Sequence, residues 1–297
     1  MLQIVPSPRL ASLTSLHLGG PALALAVFRS AVEAEELVRA AERTGGRVVL
    51  LGGGTNVLAA DGELPLLVAR CGIEAAPAVV GGEGDKRLVR VSAGMKLPRL
   101  LAWCMQRGLS GLEGMAGVPG DVGGAIAGNA GAHGMDMGTV LHSVDVFSPD
   151  RGHRTLRRDE VLCSYRSFGL RDGGGPWFAL TGAVLALRAD APESIRRRVR
   201  GHVERKIAVQ PVRAWSAGCV FKNPPDGAPS AGKLLDEAGF RGKRLGGMSF
   251  SERHANFLVN EGAGTASAAL ELIRSAQDAV ARRYGIFLQT EVKLWVF

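Results

Sequence analysis

The sequence has few of the features that would narrow its class at once: paired cysteines, aromatic side chains and long apolar runs. Its cysteines, Cys71, Cys104, Cys163 and Cys219, form no C-x-x-C pair, which argues against a metal site and against a disulfide framework. No run of 18 apolar residues occurs, and the first 20 residues lack the apolar core of a signal peptide. We therefore expect no membrane insertion and a reduced, cytoplasmic protein.

The formal net charge is +8, and charge alone would allow a nucleic-acid partner. The densest basic stretch, 196–200, lies in a predicted helix between Glu193 and Glu204 and has no aromatic residues within it. A solvated helix face is the better interpretation, so we expect no nucleic acid. A positive field would also favour an anionic small substrate.

A length of 297 residues with 46% hydrophobic residues suits two or three domains. Hydrophobic periodicity and turn residues predict the following elements. Strands are expected at 48–51, 66–69, 88–91, 141–147, 153–157, 177–187, 254–260 and 286–297. Helices are expected from Ser30 to Gly45, from Pro98 at the first helical position to Gly108, at 193–206, at 230–238 and from Thr265 to Gly285.

Glycine is concentrated in two segments. Residues 52–56 (GGGTN) follow a predicted strand, but Val57 occupies the third glycine position of the G-x-G-x-x-G fingerprint and no helix pattern follows. Residues 111–138 contain ten glycines and predict a long, specialised loop with one helical turn. Such backbone can approach an anion closely, so together the segments favour a dinucleotide bound outside the Rossmann class; alone, the first could be an ordinary turn.

Nine short motifs occur in one order along the chain. They are 51–58 (LGGGTNVL), 111–120 (GLEGMAGVPG), 122–125 (VGGA), 129–132 (NAGA), 165–167 (YRS), 218–224 (GCVFKNP), 231–234 (AGKL), 254–257 (HANF) and 291–292 (EV). This set closely resembles the UDP-N-acetylenolpyruvoylglucosamine reductase family, from about residue 14 to the C-terminus. Each motif is weak alone, and their shared order makes the resemblance specific.

The resemblance implies an α+β protein with an FAD-binding fold of the vanillyl-alcohol-oxidase type in two subdomains, and a C-terminal α+β substrate-binding domain. We expect the first FAD-binding subdomain at 1–70, joined by the C-terminal strand 286–297, the second at 71–207, and the substrate-binding domain at 208–285. The implied cofactors are FAD and NADPH. The implied partner is a small UDP-sugar substrate, and we expect a monomer.

The resemblance also assigns residues. The FAD-binding residues would be Gly52, Gly53, Gly54, Thr55, Asn56, Val57, Gly117, Val118, Pro119, Gly120, Gly123, Gly124, Ala125, Ile126, Asn129, Gly131 and Ala132. The catalytic residues would be Arg166, Cys219 and Glu291, and the substrate-binding residues Lys222, Asn223 and His254. The sequence predicts no metal.

Two features depart from the common family pattern. Cys219 stands where the motif usually has serine, and the segment after Arg166 is one residue shorter than usual. The modest length also indicates the subgroup without the tyrosine-bearing loop over the substrate, so no lid tyrosine is assigned.

The implied reaction passes hydride from flavin N5 to the outer alkene carbon of an enolpyruvyl sugar nucleotide and then adds a proton. Arg166 would balance charge on the carboxylate; without context, a salt bridge near Asp159 or Glu160 would be the better interpretation. Cys219 would supply the proton, since a thiol with a reference pKa near 8.5 is mostly protonated at neutral pH; the alternative is a small buried apolar residue. Glu291 would assist as an acid or by orienting the donor, and His254 could bind substrate or be structural.

Three other functions are compatible with parts of the sequence. A flavoprotein oxidase or dehydrogenase of the same fold would need no proton donor at Cys219. A cysteine hydrolase would pair Cys219 with His254, leaving both glycine segments unexplained. A non-catalytic nucleotide-sugar-binding protein would have no need of Arg166, Cys219 and Glu291 together.

Overall fold

The computed structural model describes residues 2–225 and 227–296, and within these ranges the chain forms both helices and strands. The strands are β1 Gln3–Pro6, β2 Ala22–Phe28, β3 Arg47–Leu50, β4 Val57–Ala59, β5 Leu64–Cys71, β6 Ala78–Glu83, β7 Lys86–Ser92, β8 Leu109–Ser110, β9 Gly131–Ala132, β10 Met135–Asp136, β11 Leu141–Ser148, β12 Gly152–Arg157, β13 Val161–Ser164, β14 Ser167–Leu170, β15 Ala179–Ala189, β16 Trp215–Cys219, β17 Arg244–Leu245, β18 Met248–Phe250, β19 Phe257–Asn260 and β20 Lys293–Trp295. The helices are α1 Ala31–Thr44, α2 Leu97–Arg107, α3 Val122–Ala127, α4 Met137–Val140, α5 Pro192–Val209, α6 Ala231–Glu237 and α7 Ala266–Tyr284. The predicted α+β class is confirmed.

The chain separates into two compact units. Unit 1 comprises Met1–Pro6, Leu23–Gly53 and Pro65–Arg205, and unit 2 comprises Ser7–Ala22, Gly54–Leu64 and Lys206–Phe297. The three predicted domains, 1–70 with 286–297, 71–207 and 208–285, stay a prediction.

Unit 1 contains two main sheets. In the first, the strand order is β1-β2-β5-β3, and β3 pairs with β5 in parallel. Helix α1 buries Ala34, Leu37 and Ala40 in the core next to this sheet. Its first turn is capped by the Ser30 hydroxyl, which accepts the Glu33 N–H at 3.1 Å, and it ends at Gly45 with φ +63°, as its polar and glycine ends predicted.

The second sheet of unit 1 has the order β12-β11-β15-β7-β6, with β8 pairing with β15. Its neighbouring strands pair antiparallel. Helix α2 buries Leu97, Leu100, Leu101 and Cys104 in the same core cluster as this sheet. The helix begins at Leu97, so the prediction that Pro98 is its first residue is wrong by one position.

Unit 2 contains a four-stranded antiparallel sheet of order β16-β19-β18-β17 and a parallel pair of β4 with β20. Helices α6 and α7 contribute buried side chains to the same core cluster as this sheet. Inside that core Phe240 and Phe250 meet edge to face with ring centroids 5.5 Å apart. Helix α7 is capped by Thr265 and ends at Gly285, as predicted.

Two predicted strands prove shorter in the structure. The strand expected at 254–260 begins only at Phe257, because residues 254–256 form a turn closed by the Phe257 N–H on the His254 carbonyl at 3.0 Å. The strand expected at 286–297 is confined to β20, at Lys293–Trp295.

The glycine-rich segment 111–138 is more ordered than its composition predicts. It contains α3, the β9–β10 hairpin and the start of α4, in addition to a 3-10 turn at Glu113–Met115. The long-loop prediction is therefore wrong. Burial explains the difference, since Val122, Ala125 and Ile126 of α3 are all buried in the unit 1 core, and tertiary packing overrides the poor helix propensity of glycine.

Candidate active site

The two glycine segments meet inside unit 1. A Cβ placed on Gly52 would lie 3.5 Å from the Cα of Gly124, and one placed on Gly123 would lie 2.9 Å from the Cβ of Ala93. Gly117 and Gly120 adopt φ values of +70° and +104°, which favour glycine. The result is a patch of close-packed backbone with few side chains, among them the Asp121 carboxylate at 3.8 Å from the Cβ placed on Gly52. The backbone N–H groups of such a patch can bind the diphosphate of a dinucleotide.

The remainder of the first glycine segment lies in unit 2. Gly54 has φ +68°, and a Cβ there would overlap the carbonyl oxygen of Leu13, so this position requires glycine. The Asn56 side chain donates to the Glu291 carbonyl at 3.2 Å, and the Asn56 carbonyl accepts from the Lys293 N–H at 3.0 Å. These bonds bring the end of the segment next to the predicted acid at 291.

Arg166 occupies a two-residue turn in unit 1. Ser164 and Ser167 pair across the β13–β14 hairpin, so Tyr165 and Arg166 form the turn between them. Arg166 has φ +53°, and its guanidinium carbon lies 5.3 Å from the centre of the Tyr165 ring. A left-handed conformation is uncommon for residues other than glycine and often marks a functional position.

Asn129 joins this hairpin to the second glycine segment. The side chain is 2% exposed; it donates to the Ser164 carbonyl at 2.9 Å and to the Asp136 carboxylate at 3.1 Å, and it accepts the Gly138 N–H at 2.8 Å. Both amide hydrogens and the carbonyl are therefore engaged within the protein. Asn129 stays a predicted cofactor-binding residue, but its side chain supports the hairpin, a role that the sequence did not indicate.

Cys219 ends strand β16 in unit 2. The preceding Gly218 has φ +78°, and the pairing with β19 shifts register between Ser216 and Cys219 before Cys219 pairs with Phe257. The bulge turns the end of the strand, a device that often re-aims a side chain near an active site.

Glu291 is brought to the same place by the backbone. Its N–H donates to the carbonyl of Val220, the residue after Cys219, at 2.7 Å. Two of the three predicted catalytic residues, Cys219 and Glu291, are thus joined within unit 2 through one intervening residue. Arg166 belongs to unit 1.

The predicted substrate-binding residues also lie in unit 2. The Lys222 N–H donates to the Gln289 carbonyl at 2.9 Å, and the Asn223 side chain accepts the N–H of Ala231 at the start of α6 at 3.1 Å. Asn223 therefore orders the first turn of α6. Both residues stay predictions as substrate ligands.

His254 accepts the Asn256 N–H at its Nδ1 atom at 3.2 Å and lies against the Phe257 ring with centroids 5.0 Å apart. Burial, followed by the positive charge of Arg241, lowers its pKa. The ring is then neutral at pH 7 and carries its proton on Nε2. A structural role is evident, and substrate contact through Nε2 stays a prediction.

Asn256 was quoted in the sequence motifs but was assigned no role. Its side chain is 2% exposed and holds both backbone groups of Phe221, two residues from Cys219. The signal was available: an amide between two apolar residues of a buried segment requires hydrogen-bond partners.

The other three cysteines are poor acids. Burial raises the pKa of Cys71 to about 11 and of Cys104 to about 12, and it also raises that of Cys163. None of the four cysteines, all of which lie in the described ranges, forms a disulfide. Over the same ranges no cluster of three or more His, Cys, Asp or Glu side chains could hold a metal ion.

Comparison with known proteins decides the family. Residues 210–295 match the family model for the C-terminal domain of UDP-N-acetylenolpyruvoylglucosamine reductase, and residues 22–155 match an FAD binding domain. The chain is 49% identical over 294 residues to the UDP-N-acetylenolpyruvoylglucosamine reductase of Nitratidesulfovibrio vulgaris, covering 99% of each chain. The chain belongs to the UDP-N-acetylenolpyruvoylglucosamine reductase family.

Further similarities extend over the whole length. The reductase of Oleidesulfovibrio alaskensis is 47% identical over 98% of both chains. The crystal structure of the Thermus caldophilus reductase superimposes with a TM-score of 0.82 at 34% identity, covering 100% of this chain and 99% of that one. The predicted family and FAD-binding fold are confirmed.

Family membership makes this chain a flavoprotein oxidoreductase and removes the cysteine-hydrolase and binding-protein alternatives. Gly52, Gly124 and their neighbours, which present bare backbone, would hold FAD. Among the described residues no helix is both long and apolar enough to cross a membrane.

Proposed function

We propose that this reductase-family member reduces the enolpyruvyl ether of UDP-N-acetylglucosamine to UDP-N-acetylmuramate with NADPH, in the synthesis of peptidoglycan precursors. Relatives at 49% and 47% identity carry the corresponding reductase name. The observation that supports the proposal most directly is the hydrogen bond from the Glu291 N–H to the Val220 carbonyl. It joins the segment of the proposed proton donor to that of the proposed acid.

FAD, when bound, supplies hydride transfer between NADPH and the outer alkene carbon of the substrate. The chain must then stabilise negative charge on the carboxylate side of the substrate and protonate the carbon that bears the carboxylate. Arg166 offers a permanent charge and a planar fork of donors suited to a carboxylate. The left-handed backbone conformation of Arg166 fixes the direction in which its side chain leaves the turn.

Cys219 completes the reduction by giving its thiol proton to that carbon, so one hydride and one proton add across the double bond. The resulting thiolate regains a proton from solvent. Glu291 orients this transfer from the neighbouring segment. Lys222, Asn223 and His254 contact the sugar nucleotide, His254 through its Nε2–H.

The test begins with the absorbance spectrum of the purified protein, which should show flavin bands at about 370 and 450 nm. Under anaerobic conditions NADPH should bleach these bands, and the enolpyruvyl sugar nucleotide should restore them. In D₂O with unlabelled NADPH, NMR of the product should show deuterium at the carbon bearing the carboxylate. Bleaching without recovery would contradict the proposed substrate, and rapid reoxidation by oxygen would favour an oxidase.

The cytoplasmic location and the monomeric state stay predictions. Size-exclusion chromatography with light scattering tests the second, and a mass of about twice the 31.2 kDa of the chain would contradict it.

A further inference from the structure

The strand that carries Cys219 changes partners directly after the cysteine. Cys219 pairs with Phe257 of β19, and the next N–H, that of Val220, donates to the Asn256 carbonyl at 2.8 Å. From there the backbone pairs with the C-terminal segment, since the Val220 carbonyl accepts the Glu291 N–H and Phe221 forms a bridge with Thr290. The proposed proton donor, Cys219, is therefore the last residue paired with β19, and the proposed acid, Glu291, lies where the pairing with the C-terminal segment begins.

The side chain of Asn256 stabilises the backbone at the point where the strand changes partners. The Oδ1 atom accepts the Phe221 N–H at 2.9 Å, and the Nδ2 atom donates to the Phe221 carbonyl at 2.8 Å. Phe221 is 1% exposed and Asn256 is 2% exposed, so these backbone groups have no access to bulk water. Beyond Cys219, strand β19 no longer offers a backbone carbonyl and N–H to this chain segment. The Asn256 amide supplies one acceptor and one donor in their place.

We propose that Asn256 is a positioning residue for proton transfer, because it holds the 220–221 backbone that connects Cys219 to Glu291. This inference rests on the proposed function, in which Cys219 is the proton donor. Placement of a donor within a fraction of an ångström matters, since a displacement of about 1 Å can slow an enzymatic step about 100-fold. Loss of the Asn256 amide leaves both Phe221 groups unpaired and frees the backbone next to the thiol.

Asn260 provides a matched control on the same strand. Its side chain is also buried, at 6% exposure, and makes three side-chain bonds to backbone: to the Leu16 carbonyl at 3.0 Å and from the Gly262 and Gly264 N–H groups at 2.9 Å each. None of these partners belongs to the segments of Cys219 or Glu291. Replacement of Asn260 should therefore weaken the fold without selectively affecting the chemical step.

The experiment separates the two half-reactions of the flavin-loaded enzyme by anaerobic stopped flow. For Asn256→Ala, bleaching by NADPH should change less than about twofold, while reoxidation by the enolpyruvyl substrate should slow about 100-fold. The solvent isotope effect on reoxidation should rise as proton transfer becomes limiting. Asn260→Ala should lower the melting temperature by a similar amount and leave both rates within about threefold of the parent.

Asn256→Asp serves as a second variant and supplies a pH signature. An ionised aspartate accepts the Phe221 N–H but cannot donate to the Phe221 carbonyl, whereas the protonated acid can. Reoxidation in this variant should therefore be slow at pH 8 and recover as the pH falls, with bleaching by NADPH unchanged. A purely structural role would produce no such selective recovery.

Cys219→Ala on the same instrument distinguishes the two levels of the inference. If this variant reoxidises at the parental rate, the proton donor is wrong and the positioning role falls with it. Two results would overturn the positioning role and leave the proposed function standing. In the first, Cys219→Ala reoxidises slowly but Asn256→Ala reoxidises at the parental rate. In the second, Asn256→Ala and Asn260→Ala slow both half-reactions to the same extent.

Discussion

The Arg166 hairpin in unit 1 and the Cys219 strand in unit 2 both depend on a buried asparagine, but they use it differently. Asn129 forms a hydrogen bond with the hairpin at Ser164, two residues before Arg166, and its other hydrogen bonds are with Asp136 and Gly138. Asn256 gives both ends of its amide to Phe221. Asn129 therefore reaches the arginine turn through a single hydrogen bond, to the Ser164 carbonyl, whereas Asn256 holds the backbone next to the cysteine strand through two.

This difference suits the two chemical tasks. A guanidinium lies at the end of a long stem, so side-chain rotation can bring its fork of donors to a carboxylate. A proton donor must come within hydrogen-bond distance of one atom. The stricter geometric requirement therefore falls on Cys219, next to the backbone that Asn256 holds at both groups of Phe221.

The largest effect on flavin reoxidation is expected from Cys219→Ala. Loss of a general acid typically costs 10²- to 10⁴-fold, so flavin reoxidation by substrate should slow by about that factor, while bleaching by NADPH persists. Cys219→Ser should keep substantial turnover, and thiol alkylation should inactivate the parent unless substrate is present. Full activity in Cys219→Ala would end the proton-donor assignment.

Arg166→Gly should separate stability from activity in unit 1. Glycine adopts the left-handed turn without the cost of about 1 kcal/mol or more that a side chain carries there, so the free energy of unfolding should be unchanged or rise by about 1 kcal/mol. Loss of the guanidinium should slow flavin reoxidation about 10²- to 10³-fold. Denaturant melts and stopped flow measure the two effects; a destabilised variant would contradict the strained-turn interpretation.

Asn129→Ala should destabilise the protein and slow reoxidation together. Removing the amide leaves the buried Gly138 N–H without its Asn129 acceptor and removes the donor to the Ser164 carbonyl, and about 1–3 kcal/mol of folding free energy should be lost. Because Asn129 makes one hydrogen bond to the hairpin, at Ser164, whereas Asn256 makes two to Phe221, reoxidation should slow less than in Asn256→Ala. A larger loss in Asn129→Ala would reverse the comparison between the two regions.

Gly54→Ala should reduce the flavin content of the purified protein. The Cβ added at position 54 would overlap the Leu13 carbonyl oxygen. Gly45→Ala is the control, because Gly45 has a similar φ of +63° and a Cβ added there has no atom within 4 Å. The control should lose only about 1 kcal/mol of stability and keep its flavin. The ratio of absorbance near 450 nm to that at 280 nm measures the difference, and equal flavin loss in both variants would contradict the steric explanation.

The smallest effect is expected from pH acting on His254. Burial lowers its folded-state pKa, so below about pH 6.5 the unfolded chain binds a proton that the folded protein does not. Stability should therefore fall as the pH drops from 7 to 5, and His254→Gln should show a shallower decline. The pKa of His202 is also lowered mainly by burial, so His202→Gln should make the decline shallower by a separate amount, and the two effects should add in the double variant.

Much of the site could be predicted from residues alone because glycines and short polar motifs reflect local backbone requirements. Gly54 and Gly218 adopt conformations that favour glycine, and the N-caps at Ser30 and Thr265 begin their helices as expected. The motif order was sufficient to predict the family. Helix α3 was missed because its three buried apolar residues lie among glycines that favour a loop.

The sequence by itself determined the family, the cofactor and the candidate residues, because these depend on residue types at fixed spacing. Only the tertiary structure decided what joins them. The Glu291 N–H reaches Val220 across 71 positions of the chain, and Asn256 reaches Phe221 across 35. Such pairings follow from which strands share a sheet and where a strand changes partners, and side-chain periodicity along one segment carries no record of its distant partner.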